Sequence, residues 1–368
     1  MKSIRVVPFV FALLVGCSSA PVDLGDPGRS RSPQQQERDQ PVGDRNGAEG
    51  GDTPLEGPST ETPAQSGEPE LVLDATSLGG LAAIRDFDLS AGTLYYSALQ
   101  NDRVSLFRYD IASKANAAIG GEQAGEPFAS DLSGVFYFGV RPDSSERAIL
   151  GMPKTSAAPG WLSIVPTFAT AVAVDAQYVY WVERGELTTN FRVARREAFA
   201  SSPVPTSSYG PAIRLGPDFF RHLVVDQGVA YAASDHGMLV KYDIELATTM
   251  LAEQGPKNGF VVSGTNLYWI DGTDLKSLPK NAAAATPPST IASLPADASN
   301  VIGGIGPKGV YVLSVAKTGN DGRVIRVDPA TAAQKELATD LSGLGSGIFR
   351  ENAFYFVTNQ GVMRLADQ

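Results

Sequence analysis

The stretch Asn266-Leu267-Tyr268-Trp269-Ile270-Asp271-Gly272-Thr273-Asp274-Leu275-Lys276-Ser277-Leu278-Pro279-Lys280 decides the fold. A short apolar run around Tyr268 ends in Asp271-Gly272-Thr273-Asp274, where a hairpin needs residues that tolerate positive φ. Leu275 to Lys280 then reads as the next strand. A tyrosine between mostly apolar neighbours recurs along the chain, in Leu94-Tyr95-Tyr96, Phe136-Tyr137-Phe138, Val179-Tyr180-Trp181, Ala230-Tyr231-Ala232, Val310-Tyr311-Val312 and Phe354-Tyr355-Phe356. Successive tyrosines lie 42, 43, 51, 37, 43 and 44 residues apart. A period of about 40–45 residues is that of one four-stranded propeller blade.

The surroundings repeat with the tyrosines. Turn residues precede most copies, as in Ala91-Gly92, Ser133-Gly134, Gln227-Gly228 and Lys308-Gly309. Alternating strands follow, as in Leu106-Phe107-Arg108-Tyr109-Asp110 and Val324-Ile325-Arg326-Val327-Asp328. The last unit stops at Met363-Arg364-Leu365 and lacks a fourth strand, while an orphan strand, Glu70-Leu71-Val72-Leu73-Asp74, precedes the first. Pairing the two closes the ring and protects an open sheet edge. The expected fold is therefore all-β, a seven-bladed β-propeller whose N-terminal strand completes the last blade. The tyrosines are expected in the core between blades, where a hydroxyl can reach a neighbouring backbone group; the alternative is a stacking platform for sugars or bases.

Composition limits the function classes. With 30 basic and 40 acidic residues the net charge is −10, which argues against nucleic acid as a partner. A single cysteine and two histidines leave no disulfide framework, no cysteine-ligated zinc cluster and little for histidine chemistry. No G-x-S-x-G, Walker or H-E-x-x-H motif occurs.

Lys2 and Arg5 precede a mostly apolar run over 6–15, too short for a bilayer span and patterned as an export signal. Leu14-Val15-Gly16-Cys17 resembles a bacterial lipobox, which implies cleavage before Cys17 and a diacylglyceryl group on its thiol. Ser18 in the next position favours the outer membrane over the inner. Residues 18–69 contain no aromatic residue and carry about ten acids against about four bases, the composition of a disordered tether. Such a tether reaches roughly 40 Å, as a spacer or as a passive tail. The expected organisation is a lipoprotein signal peptide over 1–16, lipidated Cys17 with an acidic tether over 17–69, and the propeller over 70–368.

Val179-Tyr180-Trp181 and Asn266 to Asp271 resemble YWTD-type repeats, and similar units occur in NHL-type and TolB-like propellers and in bacterial cell-envelope lipoproteins. Two of the seven units carry Trp after Tyr, none reads Y-W-T-D, and YWTD propellers usually have six blades. The resemblance supports the fold, and propellers host binding modules and enzymes alike.

Candidate chemistry lies on the strands that should line the channel, 84–89, 128–132, 169–174, 220–225, 259–262, 301–305 and 344–348. Nine residues before the tyrosines stand Asp86, Phe128, Ala171, His222, Gly259, Ile302 and Ser346, with Arg85, Arg221 and Asn258 one residue further upstream. Asp86, His222 and Asn258 are the candidate polar residues of the channel mouth. They supply part of a metal-dependent, lactonase-like site, or simply a polar lining; such a site needs several converging ligands. Blades 1 and 4 should lie across the ring from each other, which counts against it. Asp271 to Asp274 and Asn320-Asp321-Gly322 look like calcium-loop fragments but fit hairpin turns, and His236 fits a solvated hairpin. The cluster Arg192, Arg195, Arg196 and Glu197 reads as a solvated strand edge, and the Ser/Pro-rich insertion 201–211 as a contact loop or a neutral insertion.

The sequence thus points to a lipid-anchored, extracytoplasmic propeller of the bacterial cell envelope. It would act as a non-catalytic binding or scaffolding module for an envelope protein or glycan, held to the membrane through acyl chains on Cys17. No catalytic residue, metal or cofactor is assigned. The alternatives are a metal-dependent hydrolase at the channel mouth and an assembly factor for outer-membrane proteins.

Overall fold

The computed structural model describes residues 68–78, 84–100, 103–119, 127–141, 145–154, 160–164, 168–185, 188–197, 213–243, 247–284, 286–318 and 321–367. The signal segment, Cys17, nearly all of the tether and the insertion 201–211 lie outside the described residues.

Seven four-stranded antiparallel sheets form the blades of a β-propeller. Their inner strands are Ile84–Ser90, Phe128–Asp131, Phe168–Val174, Phe220–Asp226, Phe260–Ser263, Ala298–Gly306 and Gly347–Arg350, which number blades 1 to 7. In blades 1 to 6 the chain runs from inner to outer strand in order. Blade 7 takes its outer strand, Glu70–Asp74, from the start of the domain, as the strand count in the sequence requires. Glu70 lies opposite Arg364, Leu71 opposite Met363, Leu73 opposite Val362 and Asp74 opposite Gly361. The side chains of the first pair also meet, Arg364 Nη1 donating to Glu70 Oε2 at 3.0 Å.

The inner strand of blade 7 is shorter than the expected 344–348. Gly343 takes φ +68°, and the next residues meet Val357 out of ladder register: Gly345 donates to the Val357 carbonyl, and Val357 donates back to Ser346. The glycine turn delays the regular pairing until Gly347.

All seven repeat tyrosines lie on second strands and are buried between blades. They anchor apolar clusters at the blade interfaces, such as Tyr180, Phe191, Phe220 and Tyr242 between blades 3 and 4. Burying one such ring fully contributes roughly 1.5–3 kcal/mol, so the ring of interfaces dominates the stability. Tyr180 donates to Asp175 Oδ2 at 2.7 Å and Tyr311 to Asp367 Oδ1 at 2.5 Å, both side chains rather than backbone. Among the described residues the Tyr95 and Tyr137 hydroxyls are buried without a hydrogen-bond partner. Burial pushes the Tyr231 phenol up to about 12.

Polar clasps join neighbouring blades. Buried Asp88 accepts from the Ser130 backbone of blade 2 at 2.9 Å and pairs with Arg350 Nε of blade 7 at 3.3 Å. Lys280 of blade 5 pairs with Asp226 of blade 4. The cluster read as a solvated edge divides. Arg195 and Glu197 are exposed, but Arg196 is half-buried and grips Asp131 of blade 2 with both terminal guanidinium nitrogens, Nη1 also donating to the Asp175 carbonyl at 2.7 Å. The fork matches a carboxylate, and a cation at the end of a third strand lies beside the first turn of the preceding blade.

Candidate functional site

Inner strands begin, second strands end and third strands begin on one side of the ring, here termed the upper face. A cavity of about 790 Å³ opens there across blades 1 to 4. That volume falls within the range of small-ligand sites.

Local backbone irregularity shapes its polar wall. The inner strands of blades 1, 3 and 4 each carry a β-bulge, between Ile84 and Asp86, between Ala169 and Ala171, and between Phe220 and His222. The extra residues are Arg85, Thr170 and Arg221, and all three line the cavity. A bulge re-aims a side chain that regular alternation would send elsewhere. Thr170 also donates its hydroxyl to the Phe220 carbonyl of blade 4 at 2.5 Å, which ties two walls together. Arg147, the first residue of a third strand in blade 2, adds another guanidinium.

The apolar wall is Phe138, Phe168 and Phe219 with Val104 and Val140. Phe168 is 47 % exposed, an unusual state for a large aromatic ring. Phe219 lies between two cations, with Arg184 Cζ at 4.3 Å and Arg221 Cζ at 4.5 Å from its ring centroid.

Of the candidate residues, Asp86 and His222 line this one cavity, although their blades are three apart. Asp86 is exposed, and its Oδ1 accepts from the Phe87 backbone at 2.9 Å. The His222 imidazole holds a proton less readily than an ordinary histidine. Burial lowers its affinity for a proton, a hydrogen bond with the Lys257 backbone opposes that in part, and the neighbouring Arg221 charge lowers it further. Asn258 is exposed just ahead of the inner strand of blade 5 and does not line the cavity. Its neighbour Gly259 packs against the His222 ring, where a Cβ would stand 3.7 Å from Nδ1.

Among the described residues no three carboxylate, histidine or cysteine side chains converge as ligands for a cation. Asp86 and His222 make two of the three protein ligands that a catalytic metal ion ordinarily takes, so among the described residues the donor set is one short. Asp274 in the calcium-like fragment spends its carboxylate locally, on Lys276 Nζ at 2.9 Å and on the Ser293 hydroxyl at 3.2 Å, while Gly272 at φ +63° makes the turn.

Arg147, Phe138, Phe168 and Phe219 were not among the candidate site residues read from the sequence. The one signal available was positional: Arg85, Thr170 and Arg221 all stand ten residues before their blade's tyrosine.

No protein-family model matches the chain, and no curated protein matches it. Solved structures do resemble it. A prolyl endopeptidase superposes with a TM-score of 0.52 at 15 % identity, over 78 % of this chain and 47 % of that one. A puromycin hydrolase, the S511A mutant complexed with PGG, gives 0.52 at 13 % identity, over 75 % and 50 %. PorZ, an essential bacterial surface component of the type-IX secretion system of Porphyromonas gingivalis, gives 0.49 at 10 % identity, over 78 % and 37 %. The chain spans about half the length of the two hydrolases. Likeness at these identities extends to the fold and no further.

Proposed function

We propose that this protein is a lipid-anchored, extracytoplasmic binding or scaffolding module of the bacterial envelope that engages an envelope protein or glycan through the upper face of its propeller. The observation that carries the reading is the wide cavity on that face, walled by side chains from four blades. A rigid ring that presents such a cavity suits recognition. The strand order adds a second support. Glu70 pairs near the end of the last third strand and Asp74 at its start, so the chain joins the ring at the lower face, opposite the cavity. The anchor itself rests on the lipobox resemblance around Cys17, and the outer-membrane location on Ser18.

The test is chemical cross-linking in intact cells followed by mass spectrometry of what stays attached to the protein. The expected result is a discrete envelope partner joined through residues of blades 1 to 4. Recovery of the protein alone would count against the module reading.

Hydrolysis at the same mouth is a second reading, favoured by one observation: Asp86 and His222 share the cavity. Metal analysis of the purified protein separates the two. A stoichiometric cation lost in Asp86→Ala supports the hydrolase, and a metal-free protein that still captures its partner supports the module.

A further inference from the structure

We propose that Asn258 is a site of spontaneous deamidation: ring closure on the Gly259 nitrogen, followed by hydrolysis, turns its amide into a carboxylate beside His222, which lines the upper-face cavity. This chemistry is independent of what the cavity binds.

The chain has two Asn-Gly pairs, Asn46-Gly47 and Asn258-Gly259, and the second lies in the propeller. Deamidation requires the asparagine amide carbon to meet the backbone nitrogen of the next residue. A glycine carries no Cβ to shield that nitrogen and lets the backbone move toward it. The fold supplies the other conditions. Asn258 is exposed. Regular pairing in blade 5 begins at Phe260 opposite Trp269, so Gly259 stands ahead of the ladder at φ +95°. Asn266 of the same blade is the contrast. It is half-buried, precedes the bulkier Leu267, and lies inside the ladder between Ser263 and Pro279. Its amide nitrogen donates to the Thr265 hydroxyl at 3.3 Å and to the Tyr268 hydroxyl at 3.4 Å.

The bonds balance without an oxidant or reductant. The Gly259 nitrogen bonds to Asn258 Cγ and gives up its proton. The Cγ–Nδ2 bond breaks, and the amide leaves as ammonia. Water then opens the cyclic imide. Cleavage at Cγ yields an aspartyl residue, and cleavage at the main-chain carbonyl carbon yields an isoaspartyl residue whose chain runs through Cγ. Asparagine is a thermolabile residue.

Position gives the change a consequence. Both neighbours of Asn258 touch the His222 ring: the Lys257 backbone hydrogen-bonds to it, and Gly259 packs against it. The new carboxylate arises between these two supports and opposes the charge of Arg221, which already acts on the ring. A nearby negative charge favours the protonated imidazole. The isoaspartyl form also lengthens the main chain between the supports by one methylene.

The test ages the full chain in detergent at physiological temperature and mildly alkaline pH. Tryptic cleavage after Lys257 and Lys276 releases one peptide that holds both Asn258 and Asn266. Tandem mass spectrometry should show the Asn258 amide lost to a mixture of aspartyl and isoaspartyl forms while Asn266 stays intact. Asn258→Gln, at an exposed position, should fold and should remove the conversion. In proton NMR the His222 signal, told from that of His236 by His222→Gln, should titrate at higher pH in Asn258→Asp than in the parent. An Asn258 amide that survives ageing of the folded chain overturns the site, as does equal conversion at Asn266. An unchanged His222 titration overturns its link to the cavity.

Discussion

A Cβ on Gly361 would stand 1.8 Å from the carbonyl oxygen of Leu73. Gly361 starts the last third strand, Leu73 lies in the closing strand, and the backbones meet so closely that only glycine fits at φ +133°. The seam of the ring thus depends on a missing side chain.

Gly361→Ala should therefore destabilise the propeller by about 2–3 kcal/mol through strain and loss of strand pairing. A fall in melting temperature of roughly 5 °C or more is expected in a thermal scan. An unchanged melting curve would place the seam elsewhere.

The Arg196–Asp131 clasp should be worth more than an exposed ion pair, since it joins two blades and both side chains are mostly covered, at 15 % and 23 % exposure. Arg196→Met and Asp131→Asn should each cost about 1–3 kcal/mol in urea unfolding. A double-mutant cycle should return a coupling of about 1 kcal/mol or more, and additive single effects would refute the clasp.

His222 sets a pH window. Its folded-state proton affinity is lowered from the ordinary 6.5, so the unfolded chain binds the proton more readily. Stability is then full above pH 6.5 and falls as pH drops through that value toward the folded pKa. His222→Gln should flatten the change in urea midpoint between about pH 7 and pH 5. An equal drop in parent and variant would assign the effect to other groups.

At lower pH the carboxylates take over. Asp110, Asp274 and Asp328 are each held below the usual carboxylate value, chiefly by hydrogen bonds from Ser113, Lys276 and Thr331 respectively. Their contribution is present above the unfolded pKa of 3.8 and is lost as pH falls through the folded values. Replacing all three by asparagine should make the stability profile below about pH 4 shallower. A profile as steep as the parent's would rule these turns out as its source.

If Cys17 carries the lipid, Cys17→Ser should move the protein from the membrane to the soluble fraction and abolish incorporation of labelled palmitate. Stable anchoring needs two acyl chains or more, so loss of the thiol should release nearly all of the protein. Continued membrane retention would contradict the lipobox reading.

Much of the architecture was legible because it is periodic. Tyr95, Tyr137 and their counterparts mark second strands at near-constant spacing, and a surplus strand at Glu70 answers a deficit after Leu365. The cavity was half legible. Asp86 and His222 could be aligned on the tyrosines, but a bulge depends on strand register, which spacing alone does not reveal, so Arg85 and Arg221 were noticed without their orientation. Arg147 and Phe138 come from the third and second strands of blade 2, and only the closed ring brings them to the same cavity as Asp86 and His222. Arg196 was misjudged for a similar reason: its partner Asp131 lies 65 residues away in sequence.

The central claim, a ring sealed by its two chain ends, is tested most directly by a cysteine pair at Glu70 and Arg364, whose side chains meet across the seam at 3.0 Å. In a Cys17→Ser background, Glu70→Cys/Arg364→Cys should form an intramolecular disulfide rapidly under mild oxidation of the folded protein. On a non-reducing gel it should run as a faster monomer. Thiols that stay reduced, or that join only between molecules, would contradict the closure.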